Sequence, residues 1–253
     1  MIGHEGIQTA LEKIVREDAL GHAYLFFGDA EIGKASCAEY LANLVERGAF
    51  EKPSVQLLDA AVFMPNEKGN IGIDEVRGMK RFLWQTPLSS SKRIAIIDGA
   101  EALTPEAQSA MLKIVEEPPS HGLLIFVTYD PETLLAPLAS RLSKIYFQRL
   151  SVKKVEQYLV AKGVPVKKAS DLAAKSYGRI GRALHLLRGD EEGEESLERA
   201  LEEEILSLHA SGVEKNSAKL SWLLAREELV KRFNVNPNIQ KKAIEYMVNR
   251  SYN

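Results

Sequence analysis

Cysteine is almost missing from this chain: Cys37 is the single one in 253 residues. That excludes an internal disulfide and any zinc site built from a cysteine cluster. Long hydrophobic runs are missing too. None approaches the ~18 apolar residues that a membrane span needs. Charge of one sign is not in excess, since 33 Lys and Arg stand against 35 Asp and Glu for a net charge of −2. No global basic field therefore announces a nucleic-acid binder, although a local patch stays open. His4, His22, His121, His185 and His209 are scattered without metal-ligand spacing, so no metal site is expected. The segment Met-Ile-Gly-His-Glu-Gly has the features of neither a signal nor a transit peptide, and the expected compartment is the cytoplasm. No internal repeat or low-complexity tract is visible.

What is present is a strand, a glycine loop and a helix. The apolar run Ala23–Phe27 leads into Gly-Asp-Ala-Glu-Ile-Gly-Lys at 28–34, and a helical pattern follows. Gly28, Gly33 and Lys34 stand at the spacing of a phosphate-binding loop, in which backbone N–H groups and the lysine hold phosphates. The next residue should offer a hydroxyl to Mg²⁺, but here it is Ala35. Ser36 is one helical step of ~100° away and cannot simply replace it. Asp29 and Glu31 also put carboxylates into the loop, each costing roughly 1–4 kcal/mol if close to a phosphate. The loop therefore reads as a degenerate nucleotide site in which ATP binding is not expected. What remains is a retained loop that caps the helix behind it; the competing reading is competent Mg-ATP binding.

Arg93–Asp98 is a continuous apolar run ending in an acid. It reads as a strand buried on both faces, with Asp98 either at the Mg²⁺ position of a P-loop ATPase or capping the strand end. Gly99 follows, where a catalytic carboxylate would be needed, and Glu101 is displaced by two. A second strand is expected at about 56–63, a helix from an Asp74 N-cap to about Trp84, and a helix opened by Thr104-Pro105. Leu123–Thr128 and about Lys144–Phe147 complete five strands, which alternate with helices as in a doubly wound parallel α/β domain. Beyond Ser151 only helices are expected, at about 151–162, 165–176, 178–188, 214–233 and 237–250. Residues 190–204 hold nine acids and one arginine. They read as a disordered acidic linker, or as a short linker at 189–194 and then a helix with a solvated acidic face; the spacing of Leu197, Leu201, Ile205 and Leu208 favours the helix.

Several stretches then fall into one order. They are Gly21–Leu25, Ile32-Gly33-Lys34, Ile71–Val76, Ile96-Ile97-Asp98, the helix Ala107–Glu117 closing on Pro118-Pro119, and Ser140-Arg141. Together, over about residues 1–190, they resemble the bacterial clamp-loader subunits of DNA polymerase III, members of the AAA+ class. The resemblance implies a P-loop AAA+ α/β domain at 1–149, a small helical lid at 150–189 and a short helical C-terminal collar at 190–253. Within the family, the gamma/tau motor hydrolyses ATP, whereas the delta-prime stator lends an arginine to a neighbour. Ala35, Gly99, Tyr129 at the sensor position after Thr128, and Gly181 at the second sensor position all depart from the motor pattern. Ser140-Arg141 survives. The resemblance thus implies a non-motor subunit, with Arg141 acting in trans and no ATP or zinc of its own. Its implied partners are the gamma/tau and delta subunits, and through the complex the sliding clamp and primer-template DNA. A divergent gamma/tau-like ATPase and an interaction module outside replication remain as alternatives.

Overall fold

The computed structural model describes residues 1–189, 197–210, 212–232 and 244. Helix α1 (Glu5–Arg16) leads into β1 (Ala23–Phe27), α2 (Lys34–Arg47), β2 (Ala60–Phe63), α3 (Ile73–Leu83) and β3 (Arg93–Asp98). These are followed by α4 (Pro105–Glu116), β4 (Gly122–Thr128), the single turn α5 (Ala136–Ala139) and β5 (Ser143–Tyr146). All five strands are parallel, in the order β2-β3-β4-β1-β5. This is the expected five-stranded α/β architecture.

Side-chain alternation along the strands explains why both faces are covered. Leu25, Ala95, Ile97, Leu124 and Phe126 point into one core with Val76, Met79 and Leu83 of α3 and Ala107, Met111 and Ile114 of α4. Tyr24, Phe26, Ile94, Ile96, Leu123 and Ile125 point into the other, with Leu11 of α1 and Cys37, Ala38 and Leu41 of α2. Each fully buried Leu, Ile or Phe contributes about 1.5–3 kcal/mol relative to exposure, which holds the helices on the sheet. A parallel sheet with both faces buried reads as continuous apolar sequence, and β3 and β4 do so.

Two local expectations are corrected. The N-cap of α3 is Gly72, not Asp74. Glu75 reaches back to accept from the Gly72 N–H at 2.9 Å, while Asp74 pairs with Arg77 one turn on. Strand β2 begins only at Ala60, because Glu46 of α2 takes the Leu58 and Asp59 N–H groups before the ladder starts. Thr104 caps α4 as expected, accepting from the Ala107 N–H at 3.2 Å, with Pro105 in the first turn.

By its internal contacts the chain forms two compact units, Met1–Leu187 and Arg188–Asn253. The first also contains α6 (Val152–Ala161), α7 (Val166–Lys175) and all but the last residue of α8 (Ile180–Arg188), whose Val155, Leu159, Ala169, Ala173 and Ala183 make a third hydrophobic cluster. In the second unit, α9 (Leu197–Ala210) and α10 (Val213–Arg232) bury Leu201 and Leu223 with Ile244. The acidic residues expected as a linker at 190–194, and most of the helix expected at 237–250, lie outside the described residues.

Candidate nucleotide cleft and exposed arginine

Strand β1 ends at Phe27, and at Gly28 the chain turns with φ +136° and passes under the Phe147 carbonyl. A Cβ at Gly28 would stand 2.2 Å from that oxygen, so only glycine fits. Glu31 takes a left-handed backbone conformation, Ile32 is buried, and Gly33 is the left-handed cap from which α2 starts. His4, buried beside Phe147, puts its Nε2 3.1 Å from the Ile32 carbonyl and so fastens the N-terminal helix to the loop.

Lys34 is buried. Its ammonium donates to the Gly28 carbonyl at 2.6 Å and to the Asp29 carbonyl. Burial pulls its pKa down to about 8, although Glu101, Asp29 and Asp98 favour the charged form. Ala35 packs its methyl against the α2 core. Asp29 is held by an ion pair with Arg149. Burial opposes ionisation of Asp29, but Arg149, with Arg179 and Lys34, outweighs it and keeps the carboxyl below its usual range. Burial pushes the Asp98 carboxyl up, while Lys34 and the Gly99 N–H pull it back.

Beside this loop a cleft of about 400 Å³ opens at the carboxyl ends of β1, β3 and β4. That is where α/β sheets place ligands. Of the residues singled out from sequence, Gly33, Lys34, Ala35, Asp98 and Gly99 line it, and Tyr129 joins them. Gly28 shapes the loop from beneath. Asp29 is turned to Arg149, so of the two loop acids Glu31 is the one in the cleft wall. Glu101 reaches the cleft despite its displaced position, and its buried Oε2 has no hydrogen-bond partner among the described residues. The Thr128 hydroxyl bonds the Asp130 backbone, donating at 3.0 Å and accepting at 3.1 Å. The last wall is α8. Gly181 donates its N–H to the Glu31 carbonyl at 2.7 Å, and a Cβ there would lie 2.9 Å from the Glu31 Cβ.

Arg141 lies outside this cleft. Its guanidinium donates to the Pro137 carbonyl at 2.6 Å and pairs with Glu116 at 2.6 Å, with the side chain 41% exposed. The two sequence stretches Glu116–Pro119 and Ser140-Arg141 thus meet at one surface point.

A family model described as DNA polymerase III, delta subunit, matches residues 3–151 of this fold. The chain belongs to the DNA polymerase III delta subunit family. The resemblance read from the motifs therefore holds. The gamma/tau subunit of Mycobacterium tuberculosis is 30% identical over 172 residues, covering 63% of this chain and 30% of that protein. The delta' subunit of Bacillus subtilis is 28% identical over 197 residues, covering 73% of this chain and 59% of that protein. This chain thus spans about a third of the first and less than two thirds of the second. In fold it is similar to a DNA polymerase III gamma subunit-related protein of Thermotoga maritima, with TM-score 0.52 at 20% identity over 96% of this chain and 92% of that one.

For this family member, sequence reading did not find Arg149, His185 or the contact made by Gly181. Arg149 and Gly181 reach the loop from more than a hundred residues away in sequence. His185 enters the cleft only because α8 closes one side of it. No local pattern marks Arg149 or His185, and the pattern that marks position 181 says nothing of its contact with Glu31. Glu101 carried a signal, an acid two places past the expected one.

Proposed function

We propose that the chain is a non-motor subunit of the DNA polymerase III clamp loader, with no ATPase of its own. In this reading 1–149 is the AAA+ domain, 150–189 the lid and 190–253 the short collar. It assembles with gamma/tau and delta subunits in a hetero-oligomer, and helps load the sliding clamp at primer-template DNA. Arg141 stabilises charge at the γ-phosphate in a neighbour's site.

The observation that carries the reading is the pairing of two arrangements. Lys34, the one phosphate-seeking cation of the loop, is spent on its own loop carbonyls, in a cleft with no hydroxyl at position 35 and with Glu31 in its wall. Arg141, although it is bonded to the Pro137 carbonyl and paired with Glu116, sits at the surface and clear of that cleft, where a neighbour's phosphate could displace the exposed Glu116 carboxylate. Arginines donated across an interface accelerate phosphoryl transfer by roughly 10³–10⁵. Arg141→Ala in a reconstituted complex should therefore lower ATP turnover steeply while subunit stoichiometry by size exclusion is unchanged. Unchanged turnover would remove the role given to Arg141.

One observation favours a second reading, a divergent gamma/tau-like ATPase: Glu101 brings a carboxylate to the cleft beside Lys34 and Asp98. Nucleotide binding by the isolated chain separates the two.

A further inference from the structure

The charge of this chain is unevenly spread. Residues 150–189 carry nine Lys or Arg and two acids, in a chain whose total is −2. Arg179 and Arg182 are buried, but Lys153, Lys154, Lys162, Lys167, Lys168 and Lys175 are all exposed on α6, α7 and the turn between them. Lys154 pairs with Glu5 and Lys175 with Asp171. No described carboxylate forms an ion pair with Lys153, Lys162, Lys167 or Lys168.

The lysines also stand where folding alone would not put them. Both helices open on Val-Lys-Lys, so Lys153 and Lys154 lie in the first turn of α6, and Lys167 and Lys168 in the first turn of α7, with no acid in either. A cation at the positive end of a helix forfeits the roughly 0.3–1 kcal/mol that an acid would gain there. The same positive end reinforces the lysines towards an anion.

Since α6 and α7 pack against each other and are joined by a short turn, their first turns lie at opposite ends of a hairpin. Lys162, at the end of α6, joins Lys167 and Lys168 at the tip. Ten helical residues span about 15 Å, so the charges form two groups about that far apart. A nucleic-acid strand carries a phosphate every ~3.4 Å, and about four fit that span, whereas a single phosphate or nucleotide engages one group only. Lysine, a compact point charge on a flexible stem, suits backbone contact without base reading.

We propose that the outer surface of the α6–α7 hairpin binds the phosphate backbone of a nucleic acid, in a sequence-independent and salt-sensitive way. The choice of nucleic acid over an acidic protein rests on the clamp-loader reading, and the test keeps the two separable.

The probe is a fluorescent primer-template duplex titrated with the full chain at increasing salt. Wild-type affinity should fall with salt at a log–log slope of about −3 to −4, as for four released counterions. A variant carrying Lys153→Gln, Lys162→Gln, Lys167→Gln and Lys168→Gln should melt no lower than wild type, bind about tenfold or more weakly at low salt, and show a shallower slope. Equal affinity of wild type and variant overturns the proposal, as does a wild-type chain that does not bind the duplex. Displacement of the duplex by polyglutamate as effective as by unlabelled DNA, at equal charge, also overturns it. Co-purification with gamma/tau and delta subunits is scored in parallel. A chain that assembles without binding DNA defeats this inference alone, and one that binds DNA without assembling defeats the clamp-loader reading alone.

Discussion

Asp59 and Arg93 form a buried pair that ties the starts of β2 and β3 to the loop at Leu88, Ser89 and Ser90. Asp59 is fully buried and accepts from the backbone N–H groups of Leu88, Ser89 and Ser90 and from Arg93 at 2.7 Å. Arg93 also donates to the Leu58 and Phe82 carbonyls and to Gln85, and lies over the Phe82 ring. Removing one partner of such a pair strands a buried charge, so Asp59→Ala should cost about 3–5 kcal/mol in urea unfolding. Burial alone would raise the Asp59 carboxyl, but these donors hold it well below the usual carboxylate range. Its folded pKa therefore lies below its unfolded one near ~3.9, and the unfolded state binds the extra proton in acid. The stabilisation is complete above that unfolded value and is lost as pH falls below it. Asp59→Asn should be less stable at neutral pH and flatten the loss that begins at about pH 5 and continues as pH falls toward the depressed folded value; an unaltered acid limb would contradict this. Sequence reading placed Arg93 at a strand start but left it without a partner, because Asp59 belongs to a stretch read as mid-strand.

Helix α8 decides the shape of the cleft, and it does so through a missing side chain. Gly181→Ala would set a methyl 2.9 Å from the Glu31 Cβ and 3.0 Å from its carbonyl oxygen, so the helix must shift off the loop. We expect a loss of about 1–3 kcal/mol, with faster hydrogen exchange at the amides of 180–184 and of the glycine loop. Gly78 in α3 has nothing within 4 Å of an added Cβ, so Gly78→Ala should instead stabilise by about 0.5–1 kcal/mol. If the two variants behaved alike, the close approach at Gly181 would not matter. The strands and most helices were legible because their apolar periods are strong: Arg-Ile-Ala-Ile-Ile-Asp and Gly-Leu-Leu-Ile-Phe-Val-Thr admit little else than buried strands. The cap of α3 was misread because Asp74 and Glu75 are adjacent acids, and geometry, not residue type, chooses Glu75 to reach back.

At the scale of the whole molecule, the order of motifs along the chain revealed the family before any contact was known, and the glycine loop located the cleft. What the order could not reveal was the set of partners chosen by the folded chain. Lys34 turns onto Gly28 and Asp29, Asp29 onto Arg149, and Arg141 onto Glu116 and Pro137. The Lys34 and Arg141–Pro137 contacts are local, but Asp29–Arg149 and Arg141–Glu116 join segments far apart in sequence, so no local pattern encodes those two. Under the function proposed above, the chain keeps the nucleotide-binding frame as scaffold and supplies chemistry to another subunit. Calorimetric titration of the isolated chain with Mg-ATP tests this most directly. The account predicts no saturable binding up to millimolar ATP and no turnover, for wild type and Lys34→Ala alike. Micromolar binding with turnover, both lost in Lys34→Ala, would contradict it.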